Sequence, residues 1–413
     1  MGRGGFGDKY WRDFLLLLIG LFVTISTGCW DRREPELLVF VLSVGFDKEP
    51  SGDYKIVAQM FNPLALSQEG SGGGSPGGDK KPSWVVEASG QTPFEARKNL
   101  APMVSRELFW SYTSTVLISE KLAREGIRPI MDLLERERQF RLIARPLVAE
   151  GDIKEILASE YPLEGCSGQA LLRQLNTGDK MRSIAPVLEM RELINVAAQP
   201  GRDLLIAKVK AREVKEDAAG DKEEGVDKIV ATQPPIYLGG GAAFCGDRMA
   251  GWISDREARG WHWVQGRVRR ETLTLVIRPD GEPVSVEIFR VQSQIKPVVK
   301  DDQVTMKIKV EVKGRVQDQV SEADLASERK FLLSLEARLA TLIKNDIKAA
   351  LKRAQELDSD FLGFGNAVYR MEPKKWKLLE SKWSQVLAQL ELDLDVRADV
   401  TVAGLIKEPV KMK

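Results

Sequence analysis

Few side chains in this sequence could do chemistry, and the one with the clearest task is a cysteine. Cys29 ends the run Ser26-Thr27-Gly28-Cys29, directly after the apolar stretch Phe14-Leu15-Leu16-Leu17-Leu18-Ile19-Gly20-Leu21-Phe22-Val23-Thr24-Ile25, with Arg3, Lys9 and Arg12 ahead of it. A basic start, an apolar middle and small residues before a cut site make an export signal. The apolar run falls short of the roughly 20 residues that a membrane-spanning helix needs. A thiol following Thr27-Gly28 resembles a lipobox, in which the sulfur accepts a diacylglyceryl group before cleavage. Cys29 is therefore the expected lipid-attachment residue and 1–28 the expected lipoprotein signal peptide, although Ser26 stands where lipoboxes usually carry an aliphatic residue. Each buried acyl CH₂ contributes about 0.8 kcal/mol, so two or three chains of palmitate length hold a soluble body durably on a membrane.

The remaining candidates are weaker. Cys166 and Cys245 form no C-x-x-C pair and read as small buried residues, with a bridge between them chemically allowed outside the cell. Leu238-Gly239-Gly240-Gly241-Ala242-Ala243 lacks the G-x-G-x-x-G spacing and the P-loop lysine, so a tight turn into another strand is expected there. Gly363-Phe364-Gly365 reads as the stop of a preceding helix. Trp261-His262-Trp263 offers aromatics around a titratable ring, but as a strand it would send one tryptophan into a core. Asp31-Arg32-Arg33-Glu34, beside Cys29, reads as a solvated tether whose arginines are placed to meet anionic lipid.

Composition narrows the function class. The 413 residues are 43% hydrophobic, enough for ordinary cores in two or three domains. With 61 Lys+Arg and 60 Asp+Glu, a cut before Cys29 removes three cations and two anions and leaves 58 of each sign. A neutral mature surface gives no electrostatic case for nucleic acid. One histidine leaves almost nothing for His-based acid/base catalysis or a His-rich metal site. No catalytic constellation, cofactor site or metal site is expected, and the body is expected to bind rather than to catalyse.

The elements that hold these residues read as α+β. Leu37 to Phe46 and Tyr54 to Phe61 form a hairpin, a third strand covers Trp84 to Ala88, and Pro93 to Arg106 is a helix capped by Thr92. Ser114 to Ser119 is a buried strand, followed by a helix near Ile127 to Arg138. Residues 67–83 form a flexible Gly-rich loop and 215–228 a charged connector. Beyond it, Leu273 to Ile277, Val284 to Ile288 and Val304 to Val312 alternate apolar and polar residues, predicting antiparallel strands with one wet face. Ser327 to Leu357 is a long amphipathic helix, a second starts at Pro373, and Leu392 to Val402 is a closing strand. The expected fold is α+β and multi-domain, with mixed or antiparallel sheets and helices packed on one face: an N-terminal mixed α/β domain over 29–200 and a C-terminal α+β domain over 201–413.

Gly28-Cys29-Trp30-Asp31-Arg32-Arg33-Glu34, Val44-Gly45-Phe46-Asp47 and Phe61-Asn62-Pro63 resemble the Ger(x)C family, the lipoprotein C subunits of bacterial spore germinant receptors. The likeness continues through Leu108-Phe109-Trp110-Ser111, Ile118 to Ala123, Gly239 to Trp252 with Arg259-Gly260, Asp360 to Gly365, and Pro373 to Trp376 with Trp383. Tyr112 stands where that family suggests a histidine. The resemblance implies a subunit lipid-anchored on the extracytoplasmic face of the inner spore membrane. It also implies integral-membrane A and B subunits as partners, a role in nutrient-triggered germination, and no enzymatic activity. A solute-binding lipoprotein of a membrane transporter is the alternative, and it requires two similar α/β lobes around a cleft.

Overall fold

The computed structural model describes residues 10–11, 13–18, 37–61, 83–159, 161, 164, 166–181, 183–211, 236–268, 270–276, 283–300, 303–319 and 329–402. Cys29, the stretch Asp31 to Glu34, the glycine-rich segment up to residue 82 and the connector 215–228 lie outside the described residues. The first sheet contains β1 (Leu38–Lys48), β2 (Tyr54–Phe61), β3 (Ser83–Gly90), β4 (Glu107–Phe109), β5 (Thr115–Ser119), β6 (Arg145–Glu150), β7 (Leu205–Ala211), β8 (Ile236–Cys245) and β9 (Arg248–Ile253). Its order is β3-β2-β1-β5-β6-β7-β8-β9, with β4 pairing β1. The second sheet runs β10 (Glu271–Val276), β11 (Pro283–Lys300), β12 (Gln303–Gln319) and β13 (Glu391–Val402).

The helices are α1 (Pro93–Leu100), α2 (Glu120–Glu125), α3 (Arg128–Arg136), α4 (Ile153–Ala158), α5 (Ser167–Met181), α6 (Met190–Ala197), α7 (Asp255–Gln265), α8 (Arg329–Glu356), α9 (Phe364–Met371), α10 (Pro373–Leu379) and α11 (Trp383–Ala388). The parallel run β1-β5-β6-β7 is buried on both faces, which is why all five residues of β5 are apolar or small and fully buried. Val116, Ile118 and Val148 pack with Ile130, Leu133 and Leu134 of α3. Their neighbours Leu117, Leu147 and Ala149 pack on the opposite face with Ile153, Ile156 and Leu157 of α4 and Leu171 and Leu175 of α5.

The second sheet is amphipathic instead. Val304, Met306, Ile308, Val310 and Val312 are buried while the residues between them are exposed or half-buried, as the period of two predicts. On α8, Leu335, Leu339, Ile343, Ile347 and Ala350 repeat at helical spacing and are fully buried. The fold is α+β, with helices on both faces of the first sheet and on the wet-sided second sheet's apolar face. The strands β10, β11 and β12 pair antiparallel, and β13 returns parallel to β12 after the α8 to α11 excursion.

Several local expectations change. Trp261-His262-Trp263 lies in α7, whose start is a capping box between Ser254 and Glu257, and all three rings are buried. The glycine run is no turn: Gly239, Gly240 and Gly241 sit inside the continuous strand β8, where Gly240 takes φ 63° at a bulge opposite Ala207 to Val209. Gly363 starts α9 as its N-cap with φ 77° and stops no helix. Pro93 to Leu100 is α-helical, and Ala101 to Met103 tighten into a 3₁₀ turn. Cys166 is buried and Cys245 exposed, and both are free thiols. Residue 200 falls ahead of β7, and the first sheet continues past it through β9.

Candidate functional site

An apolar cavity of about 450 Å³ opens where β1 begins and β2 ends. Phe40 and Leu42 of β1, Phe61 of β2, Tyr112, Ile143 and Leu172 of α5 form its walls, with Arg141 at the lip. Phe40 meets Phe109 and Tyr112 edge-on, with ring centroids 5.7 and 5.6 Å apart. The wall hydroxyls are engaged by the strand: Thr113 Oγ1 donates to the Val41 carbonyl at 3.3 Å and Ser114 Oγ to the Leu42 carbonyl at 2.9 Å. The interior thus offers apolar surface and no nucleophile paired with a base.

The helix that closes one side is fixed by buried polar side chains. Gln59 Nε2 donates to the Leu157 carbonyl at 2.7 Å and to Ser167 Oγ at 2.9 Å, while its Oε1 accepts from the Gly168 amide at 2.8 Å. A Cβ on Gly168 would stand 2.2 Å from Ser43 Oγ, so only glycine lets α5 approach β1 and β2 this closely. Gln169 and Leu172, one and four residues on, then face the cavity.

The expected lipid site, Cys29, has no described geometry. Leu37, the first residue of the described domain, precedes β1 at this same end and is 63% exposed. Cys166 sits at the foot of α5, where burial pushes its thiol pKa up and leaves it unreactive. His262 donates from Nε2 to the Ala185 carbonyl at 2.8 Å, and burial pushes its pKa down to about 4. It is a neutral core residue. Among the described residues, no three His, Cys, Asp or Glu side chains converge to hold a metal, and no helix is long and apolar enough to cross a membrane.

Comparison with known proteins assigns the chain. The sequence pattern described as the spore germination protein N-terminal domain matches residues 31–211, and the pattern described as spore germination B3/GerAC like, C-terminal, matches 239–404. The chain belongs to the Ger(x)C family. It is 26% identical to spore germination protein KC of Bacillus subtilis (strain 168), across 97% of this chain and 98% of that one. Spore germination protein B3 of the same organism is 21% identical, across 92% of this chain and 95% of its own. The crystal structure of the GerBC protein shares the fold, with TM-score 0.51 and 16% identity, covering 86% of this chain and 96% of that one.

The Ger(x)C landmarks resolve into structural tasks. Asp360 is buried in the loop between α8 and α9, and its carboxylate accepts from the backbone amides of Gly363, Phe364 and Gly365 at 2.8, 2.9 and 2.6 Å and from Trp383 Nε1 at 3.0 Å. Burial pushes its pKa up to about 6 against the pull of these donors. Asp203 accepts the Gly246 and Asp360 amides at 2.9 and 2.8 Å, and Trp261 donates to the Phe361 carbonyl at 3.1 Å. Asp346 of α8 accepts from Arg256 and Arg259 of α7 at 3.1 and 2.8 Å. A Cβ on Gly260 would lie 2.2 Å from the Asp346 carbonyl, which sets how closely α7 and α8 cross. The Asp360 to Gly365 landmark thus fastens the loop after α8 to the start of α9, to Trp383 and to the segment ahead of β7, while the cavity is an open feature.

Proposed function

We propose that this chain is the C subunit of a nutrient germinant receptor, lipid-anchored through Cys29 on the extracytoplasmic face of the inner spore membrane and assembled there with integral-membrane A and B subunits. It acts by binding, without catalytic turnover. The observation that supports this reading is the extent of the family match, residues 31–211 and 239–404, with Cys29 just ahead of its first residue. A lipid at that position confines the folded body to the membrane that carries its partners and raises their effective concentration. A solute-binding lipoprotein needs two alike lobes. Here a mixed sheet with a parallel centre, covered on two faces, stands beside a sheet with one wet face.

Deleting the gene in the spore former tests the reading. Germination toward particular nutrients is expected to slow or stop while growth and sporulation continue, and rescue with Cys29→Ala is expected to be poor. Normal germination of the deletion strain to every nutrient, with no paralogue present, overturns it. Mass spectrometry of the mature N-terminus settles the anchor separately, and Ser26→Leu is expected to sharpen processing.

A further inference from the structure

We propose that the cavity end of the N-terminal domain seats directly on the anionic bilayer surface, with Leu37, Tyr112, Leu142 and Ile143 dipping into the interface and Arg138 and Arg141 meeting lipid phosphates. This is a second membrane contact, beyond the lipid on Cys29, and its orientation rests on that anchor.

Large apolar side chains crowd one end of the first sheet. Leu37 is 63% exposed, Tyr112 59% and Ile143 55%, and Leu142 is exposed beside them. They share a rim: Tyr112 and Ile143 both line the cavity, Tyr112 packs on Phe40, and Leu37 lies three residues before Phe40. Trp84 adds to the same end, since it pairs with Met60 in β2 next to the Phe61 that opposes Phe40, and it is 51% exposed. Scattered exposed apolar residues are ordinary, whereas a contiguous group around an open cavity marks an interaction surface.

The charge pattern selects the occupant. Arg138 and Arg141 are exposed in the loop that carries Leu142 and Ile143, and neither has an ion-pair partner among the described residues. Nearby carboxylates are already paired: Glu137 with Arg97 at 2.7 Å, and Glu189 with Arg191 at 2.5 Å and Arg145 at 3.6 Å. Free arginines interleaved with leucine, isoleucine, tyrosine and tryptophan make the composition of a membrane interface, where aromatic rings sit at headgroup depth and cations meet anionic lipid. The chain length agrees. From Cys29 to Leu37 the backbone reaches at most about 29 Å, so an anchored Cys29 keeps this end of the fold close to the leaflet.

The test uses the mature chain from residue 29 with Cys29→Ser, which carries every strand and helix of the two sheets but no lipid. It is expected to float with phosphatidylglycerol and cardiolipin vesicles, to be released by added salt, and not to float with phosphatidylcholine. Arg138→Gln with Arg141→Gln is expected to lower partitioning about tenfold, and Leu142→Ser with Ile143→Ser by a similar factor. Leu378→Ser, an exposed apolar position on α10 of the C-terminal domain, is expected to change nothing. A natively folded chain that ignores anionic vesicles overturns the proposal, as does an equal loss from Leu378→Ser. Binding only to membranes that contain integral receptor subunits also overturns it, in favour of a protein partner. Failure of the anchor reads differently: an unmodified Cys29 from spores with rim-dependent vesicle binding intact removes the lipid and keeps the seat.

Discussion

At the Asp360 seam a buried carboxylate accepts four N–H donors, and Gly365 beside it leaves no room for a methyl group: a Cβ there would stand 2.7 Å from the Gly201 carbonyl. At the Tyr112 rim, apolar side chains stand in solvent around a cavity of about 450 Å³ and the local arginines have no ion-pair partner among the described residues. A satisfied, close-packed network of this kind fixes the loops around it and has nothing left with which to recognise a ligand. An unsatisfied one is costly to keep exposed unless something covers it. The contrast assigns stability to the seam and recognition to the rim, and substitutions in the two places should part accordingly.

The largest effect belongs to Asp360→Ala. Four donors lose their acceptor in a place water does not reach, and a buried network broken from one side costs about 3–5 kcal/mol. Chemical denaturation is expected to show that loss, and a cost below about 1 kcal/mol would mean that the seam is looser than its distances imply.

Acid gives the next largest effect, through the only histidine in the sequence. Above pH 6.5 His262 is neutral in both folded and unfolded chains. As pH falls below 6.5 the unfolded chain takes up a proton that the folded chain refuses until about pH 4, because burial disfavours the charged ring. The histidine's contribution to stability is therefore lost across that window, by about 3 kcal/mol at its lower end, while the raised pKa of buried Asp360 acts in the opposite sense below about pH 6. His262→Gln, which keeps a donor for the Ala185 carbonyl, is expected to lose less stability than the parent as pH falls from 6.5 to 4. An imidazole NMR signal that titrates near pH 6.5 in the folded protein would sink the prediction.

Gly260→Ala follows, at about 2 kcal/mol. The added methyl meets the Asp346 carbonyl at 2.2 Å, a backbone atom that cannot swing aside, so α7 and α8 must separate. Overpacking of this kind costs about 1–3 kcal/mol, and the better helix propensity of alanine offsets up to about 1 of it. Thermal melts decide, and an unchanged or raised Tm would show that the helix crossing gives way freely.

The sequence carried the second sheet well because one wet face stamps a period of two on Val304 to Val312, and α8 was equally plain from Leu335, Leu339 and Ile343. It misled at Trp261-His262-Trp263, where three aromatics suggested a strand; the helix signal lay upstream, in Ser254 and Glu257. Gly240 and Gly363 could not be read locally at all. The first is fixed by the Ile253 carbonyl, 2.3 Å from where its Cβ would be, and the second by Asp360 and the Arg202 side chain. The cavity was illegible for the same reason: residues 40, 61, 112, 143 and 172 meet only after the first sheet has formed. Its one trace in the sequence was Tyr112, standing where the family pattern suggested a histidine.

The smallest expected effect sharpens the comparison most. Ile143→Ser removes apolar surface that water already reaches and in solution should shift stability by less than about 0.5 kcal/mol, and Tyr112→Ser, which also gives up the edge-on contact with Phe40, by up to about 1 kcal/mol. Leu172→Ala, at a half-buried position in the wall of the same cavity, removes apolar surface that is partly out of water and should cost more, about 1–2 kcal/mol. The gradient from lip to wall is the quantity to measure, by denaturant midpoints under one buffer. If the rim variants cost as much as Leu172→Ala, Tyr112 and Ile143 are packing residues, and the division between a closed seam and an open recognition surface fails. If they are neutral for folding yet lower vesicle partitioning, the exposed apolar surface is kept for a contact made outside the chain.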